Sequence, residues 1–219
     1  MDPRQFKDEV FGRFARIGAA LGHAKRVEII DVLSQGERAV EPLARQISST
    51  VANTSRHLQI LASAGLVTRR VAGTSRVYRL PDRAVEAGYR ALVALAEQHI
   101  GEVAALSDAF FRQADGAGPV TFTEFDEMSR AGRVVLVDVR PPSEFAAGHV
   151  EGAVNIPVAE LATRMTEIPA DADVVASCRG PYCVMAAAAV TQLREPGYQA
   201  VRLEGGYPQW REAGRTVSS

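Results

Sequence analysis

Cys178 and Cys183 are the only two cysteines in the chain, and the stretch that joins them holds the most direct chemistry the sequence offers. Cys178 directly follows the apolar run DVVAS and precedes a short loop, Arg179-Gly180-Pro181-Tyr182, that leads into an Ala-rich stretch. A strand, a tight loop and a helix in that order aim loop amides and a helix N-terminus at the sulfur. Both favour thiolate over thiol, and the thiolate is the nucleophile. Arg179 is expected to add a mobile positive charge beside it. Cys183 has two readings: a small buried residue, the commoner fate of a free cysteine, or a second thiol that resolves whatever Cys178 acquires. Two cysteines do not make a disulfide framework, and Cys-x4-Cys without further cysteines is not a zinc site.

A second set of residues suits a polyanion. Residues 1–100 hold 15 Lys and Arg against 10 Asp and Glu, and the remainder holds 10 against 16. No acidic residue lies between Glu41 and Asp82, whereas Arg45, Arg56, Arg69, Arg70, Arg76 and Arg79 all do. Such a stretch attracts nucleic acid, and the acidic remainder repels it. Within it, Ser49, Asn53, Thr54, Arg56, His57 and Gln59 are side chains suited to base edges and phosphates. Arg69, Arg70 and Arg76 flank a Gly-containing turn, where phosphate contact is the simplest use. The alternative is a basic surface on a helical protein that binds no DNA.

Elements that would position these residues follow from periodicity. Phe6, Val10, Phe14, Ile17 and Leu21 recur at helical spacing from about Pro3 to Gly22. Helices are expected at Ala24 to Leu33, at Glu41 to Ile47, and at Val51 to Ala64 behind the cap candidates Ser48, Ser49 and Thr50. Leu58, Leu61 and Leu66 would face the core. The runs LVTRRV and SRVYRL, separated by Ala72-Gly73-Thr74, read as a hairpin, and Pro81-Asp82 opens a long helix to about Phe111. Helix-turn-helix followed by a hairpin is the order of a winged helix-turn-helix, whose second helix enters the major groove. Gln113 to Pro119 has linker composition. Beyond it RVVLVDV, AVNIP, DVVAS and AVRLE alternate with helical stretches near Glu144, Val158 to Met165 and Val184 to Leu193, which argues for a parallel α/β sheet. The expected division is a mainly α winged helix-turn-helix over 1–112, a linker over 113–119 and an α/β domain over 120–219.

The first of these domains, most specifically VANTSRHLQILASAGLVTRRVAGTSRVYRL, resembles the ArsR family of bacterial repressors over about Phe6 to Gln98. The resemblance implies a homodimer, built by the first and last helices of this half, on palindromic double-stranded operator DNA. It also marks a departure. Many members sense metal through cysteines at the start of the third helix, where this chain reads GERAVEPLARQ and has none, so thiolate ligation of a soft metal is not available there. His99 and Glu102 preserve only part of a second family site, and one His with one carboxylate is not a four-ligand zinc centre. His23, at a helix junction, reads as structural.

The second domain resembles rhodaneses through three signatures in order: DVRPPSEFAAGHVEGAVNIP, ASCRGPYCVMAAAA and LEGGYPQW. The resemblance implies that Cys178 attacks the outer sulfur of a donor such as thiosulfate or a persulfide, holds it as a persulfide, and passes it to a nucleophilic acceptor. The amides of Arg179, Gly180, the neighbours of Pro181, and Cys183 would hold the persulfide or an anion; Pro181 has no amide to give. Asp138 and Arg140 are expected to organise the strand end and the adjoining loop, paired with Glu144 or the backbone. Related phosphatases and arsenate reductases need an arginine six residues after the cysteine. Here Val184 holds that place, so phosphate-monoester hydrolysis is not expected.

No apolar run approaches the ~18–20 residues that span a bilayer, and the N-terminus lacks a signal-peptide pattern, so a cytoplasmic address with no membrane partner is expected. No cofactor or metal is expected. Three combined functions remain open. One is a repressor that senses reactive sulfur, or another thiol-reactive signal, through Cys178. Another is a sulfurtransferase whose helix-turn-helix serves as dimeriser or autoregulator. The last is a repressor with a catalytically idle second half.

Overall fold

The structure is a computed structural model that describes residues 1–73, 75–116, 118–132 and 134–219. Thr74 of the expected hairpin turn, Ala117 of the expected linker and Arg133 at the head of RVVLVDV lie outside the described residues. The chain forms two compact units, Met1–Gln98 and His99–Ser219.

The first unit opens with α1 (Pro3–Leu21), α2 (Ala24–Ser34), β1 (Arg38–Ala39), α3 (Val40–Gln46) and α4 (Val51–Ser63). Asp2 caps α1, accepting from the amides of Arg4 and Gln5, and Pro3 takes the first turn, where its missing N–H costs nothing. The His23 ring caps α2 by accepting from the Lys25 amide, the structural role expected of it. Thr50 caps α4 through the Asn53 amide at 3.2 Å. Strands β2 (Thr68–Ala72) and β3 (Ser75–Arg79) pair antiparallel as the wing, and β1 joins them on the far side of β3. Ile29, Ile30, Leu33, Leu43, Ile47, Leu58, Leu61 and Leu66 form the core of this unit.

The long helix expected from Pro81 to Phe111 is two helices, α5 (Arg83–His99) and α6 (Gly101–Asp115), separated at Ile100, whose φ of −115° and ψ of 89° are not helical. The break moves the boundary between units from the expected linker at 113–119 back to residues 98 and 99. The reason is that α6 is fastened to the second unit. Asp115 pairs with Arg202 and its carbonyl accepts from Arg194, while the Arg202 guanidinium lies over the Phe111 ring at 4.0 Å. Gln113, Ala114 and Asp115 are therefore the last turn of a helix and not a linker.

The second unit continues with α7 (Phe122–Ala131), β4 (Val134–Asp138), α8 (Pro142–Ala147), β5 (His149–Val150), β6 (Val154–Asn155), α9 (Leu161–Arg164), β7 (Asp173–Cys178), α10 (Val184–Arg194), β8 (Gln199–Gly206), α11 (Tyr207–Glu212) and β9 (Val217–Ser218). Strands β6, β4, β7 and β8, in that order, make the parallel four-stranded sheet expected from the alternation. Both faces are covered. Ala176, Val174 and Cys178 pack with Ala186, Val190 and Leu193 of α10, and Val175, Leu136 and Leu203 pack with Trp210 of α11. This two-sided burial is why the strands read as continuous apolar runs.

Candidate functional site

The sulfur site forms where β7 ends. Cys178 is the last residue of β7, and Cys183 immediately precedes α10 as its N-cap. The two are joined by a disulfide, with their α-carbons 6.2 Å apart. Of the two readings of Cys183, the geometry favours the second thiol over the small buried residue. The expectation of an open thiolate is corrected: in this disulfide form Cys178 is only 2% exposed. Of the amides expected to form a cradle, that of Cys183 donates within the loop, to the Gly180 carbonyl at 3.0 Å.

Close approach by the opposite strand shapes the loop. Gly206 pairs with Cys178 across β7 and β8, and a Cβ on Gly206 would collide with the Cys178 carbonyl and with the backbone of Arg179 and Gly180. A Cβ on Gly205 would meet the Phe122 ring at 2.8 Å, a looser contact than that of Gly206 with backbone. The Gln209 side chain accepts from the Gly206 amide at 3.0 Å and lies beside Gly180. Tyr182 and Val184 stand on the outer rim at 42% and 55% exposure.

Charged side chains around the loop are paired. Arg140 is fully buried and grips Asp138 through its Nε and Nη2, at 3.0 and 2.6 Å, while Nη2 also reaches the Gly148 carbonyl at 2.9 Å. Asn155 ties the carbonyls of Asp138 and Arg140 together, at 2.9 Å each. Asp138 and Arg140 thus pair with each other at the end of β4. The Glu144 carboxylate accepts from Nε and Nη2 of Arg179 at 2.9 and 2.8 Å, with the side chains 0% and 16% exposed. The mobile charge expected of Arg179 is thus corrected to a fixed, paired one. The two partners lie 35 residues apart, and nothing in the spacing of the sequence joins them.

On the first unit the candidate DNA surface is partly as expected. Asn53, Arg56 and Gln59 are exposed along one face of α4, and Arg69 and Arg76 are exposed on the wing. Ser49 is half-buried just ahead of α4, its amide donating to the Ala44 carbonyl at 2.9 Å. Thr54 is a correction: it is wholly buried and its hydroxyl donates to the Thr50 carbonyl at 2.9 Å, so it does not reach a base. It lies four residues before Leu58 and seven before Leu61, on the stripe that faces the core. His57 is also corrected. It is half-buried, with its ring centroid 4.5 Å from that of His23, and burial, then His23, Arg26 and Arg56, hold its pKa below 6.5. Arg70 forms a two-pronged pair with Glu37, which holds the Glu37 carboxyl below its ordinary value. Any phosphate contact by Arg70 competes with that partner. Among the described residues, no helix is long and apolar enough to cross a membrane.

Comparison with known proteins locates both halves. A helix-turn-helix domain family matches residues 21–70, and the rhodanese-like domain family matches residues 121–213. The HTH-type transcriptional regulator Rv0324 of Mycobacterium tuberculosis is 41% identical over 211 residues, covering 96% of this chain and 92% of that protein. Human thiosulfate:glutathione sulfurtransferase is 36% identical over 110 residues, 44% of this chain and 96% of its own length. Among solved structures, the homodimeric winged helix-turn-helix DNA-binding domain (fragment 1–100) of Mb0332 from Mycobacterium bovis, a possible ArsR-family transcriptional regulator, is 35% identical with a TM-score of 0.42. It covers 46% of this chain and 91% of that fragment.

Proposed function

The chain belongs to the HTH-type transcriptional regulators in which an ArsR-type winged helix-turn-helix precedes a rhodanese-like domain, and from that premise we propose a repressor whose grip on DNA is set by sulfur chemistry at Cys178. The observation that carries this reading is the disulfide between Cys178 and Cys183, at the junction of β7 and α10. In support of the reading, it joins the sulfur of Cys183 to that of Cys178, so a second thiol stands beside the first once the bond is reduced. The reduced Cys178 thiolate attacks the outer sulfur of a hydropersulfide, RSSH; the S–S bond breaks, RS⁻ leaves, and Cys178 becomes a persulfide. Cys183 then attacks the inner sulfur of Cys178, expels hydrogen sulfide and closes the disulfide. One molecule of donor thus converts an open dithiol loop to the closed loop, with atoms and electrons balanced.

DNA binding in this reading uses Asn53, Arg56 and Gln59 of α4 at base edges and phosphates, and Arg69 and Arg76 of the wing on the backbone. Two copies act together. Phe6, Phe14 and Ile17 of α1, with Leu92 and Leu95 of α5, are large apolar side chains exposed in the single chain, and a second copy covers them.

Mass spectrometry of the chain, reduced, desalted and treated with inorganic polysulfide, tests the chemical half. Wild type gains one sulfur on Cys178 or closes the disulfide, whereas Cys183→Ser stops at the Cys178 persulfide. A Cys178 that keeps its free thiol throughout contradicts the reading. A second reading is an enzyme first, favoured by the likeness of the second half to the human sulfurtransferase. It predicts thiocyanate production from thiosulfate and cyanide above a Cys178→Ser control, with DNA binding indifferent to the state of the thiols.

A further inference from the structure

We infer that the donor this loop takes is a hydropersulfide of low charge and not the thiosulfate dianion, and that Glu144 sets this choice by occupying Arg179. The inference rests on the reading of Cys178 as a sulfur acceptor and names the substrate class of that same site. Thiosulfate carries two negative charges to a sulfur that must itself be a thiolate, so its approach is opposed by Coulomb repulsion unless a cation lies ready at the mouth. The cation the sequence puts next to the nucleophile is Arg179, and it is committed: Glu144, with none of its side chain exposed, holds it through two hydrogen bonds. Charge-assisted pairs of this two-pronged kind are the strong ones, and a buried carboxylate left alone would be costly, so the pair resists division by an incoming anion.

The second arginine, Arg140, is held by Asp138 and is wholly buried. The Gln209 amide lies beside Gly180, and the Tyr182 phenol and the Val184 isopropyl group are exposed on the loop's rim; none of the three adds a cation. A hydropersulfide carries at most one negative charge on its sulfurs, and none in its protonated form, so it meets less repulsion than the dianion. Transfer from thiosulfate would break its S–S bond and release sulfite dianion into the same surroundings, whereas transfer from RSSH releases a thiolate of a single charge.

The test follows sulfur loading of Cys178, read by mass spectrometry as the persulfide in a full-length Cys183→Ser chain and as the persulfide or the closed disulfide in wild type, each reduced, desalted and given either thiosulfate or cysteine hydropersulfide. Glu144→Gln releases Arg179 and is expected to raise the ratio of thiosulfate loading to hydropersulfide loading by about tenfold or more. In wild type, added potassium chloride should leave thiosulfate loading flat or speed it, because salt screens repulsion; this measurement stands even where the variant fails to fold. A ratio unmoved in a folded Glu144→Gln chain, or wild-type thiosulfate loading that falls as salt rises, overturns the inference and leaves sulfur acceptance intact. No sulfur on Cys178 from either donor overturns the inference together with the reading beneath it.

Discussion

Gly206 faces Cys178 across the last rung of β7 and β8, at a distance that leaves no room for a side chain. Backbone of the closing signature LEGGYPQW thereby shapes the loop that holds Cys178. Gly206→Ala is expected to push the Cys178 carbonyl and Gly180 amide aside and to abolish sulfur loading, while DNA affinity of the reduced chain stays near wild type. Loading by mass spectrometry and binding to a labelled duplex check both halves. Undiminished loading would show that the close approach is incidental.

The Asp138–Arg140 pair should matter to folding and not to chemistry. Both side chains are buried, and removing one partner leaves a buried charge alone, a loss of about 3–5 kcal/mol. Asp138→Ala is expected to lower the denaturant midpoint of the second unit's unfolding by a corresponding amount. A variant as stable as wild type would contradict the structural role assigned here.

DNA contacts divide by type. Arg69→Ala and Arg76→Ala should weaken binding evenly across sequences and reduce the salt slope by about one each, because each removes a phosphate contact. Asn53→Ala and Gln59→Ala should instead cost about 1–3 kcal/mol on the preferred duplex and less on others. Thr54→Ala should lower stability by roughly 0.5–1.5 kcal/mol for its lost hydrogen bond while leaving sequence preference in place. Titrations at several salt concentrations, on a duplex selected from a random pool by the reduced protein, separate the three behaviours.

His57 links the first unit's stability to pH. Burial, with His23, Arg26 and Arg56 nearby, lowers its pKa from 6.5 in the folded chain, so the unfolded chain binds its proton first as pH falls. Stability from keeping this ring neutral is complete above 6.5 and is lost as pH drops from there through the folded value. Between neutral and mildly acidic pH the denaturation midpoint of wild type should fall further than that of His57→Gln. A wild-type midpoint that falls no more than the variant's would contradict the sign argued here.

How much of this was open to sequence reading depends on range. Local patterns sufficed for α4, where Leu58 and Leu61 set the buried stripe, and for the four parallel strands, whose double-sided burial leaves apolar runs. The same stripe marks Thr54 as inward-facing, although its hydroxyl taken alone suggests solvent. The capping box of Thr121 and Glu124, which starts α7, is also written in the sequence as TFTE. Other features had no local signal. Ala- and Leu-rich sequence continues on both sides of Ile100, with Gly101 the sole cue to the break, and α6 is assigned to the second unit by Arg202 and Arg194, far along the chain. The pairing of Glu144 with Arg179 is likewise a tertiary contact, so Arg179 alone looked like a loose cation.

The central claim, that sulfur chemistry at Cys178 governs the hold on DNA, is tested most directly by the affinity of the full-length chain for its selected duplex before and after polysulfide treatment. Wild type should lose affinity by about tenfold, a coupling of ordinary size between two sites, and should regain it on reduction, while Cys178→Ser keeps one affinity throughout. Equal affinity of reduced and treated wild type, with mass spectrometry showing that Cys178 has reacted, would contradict the account.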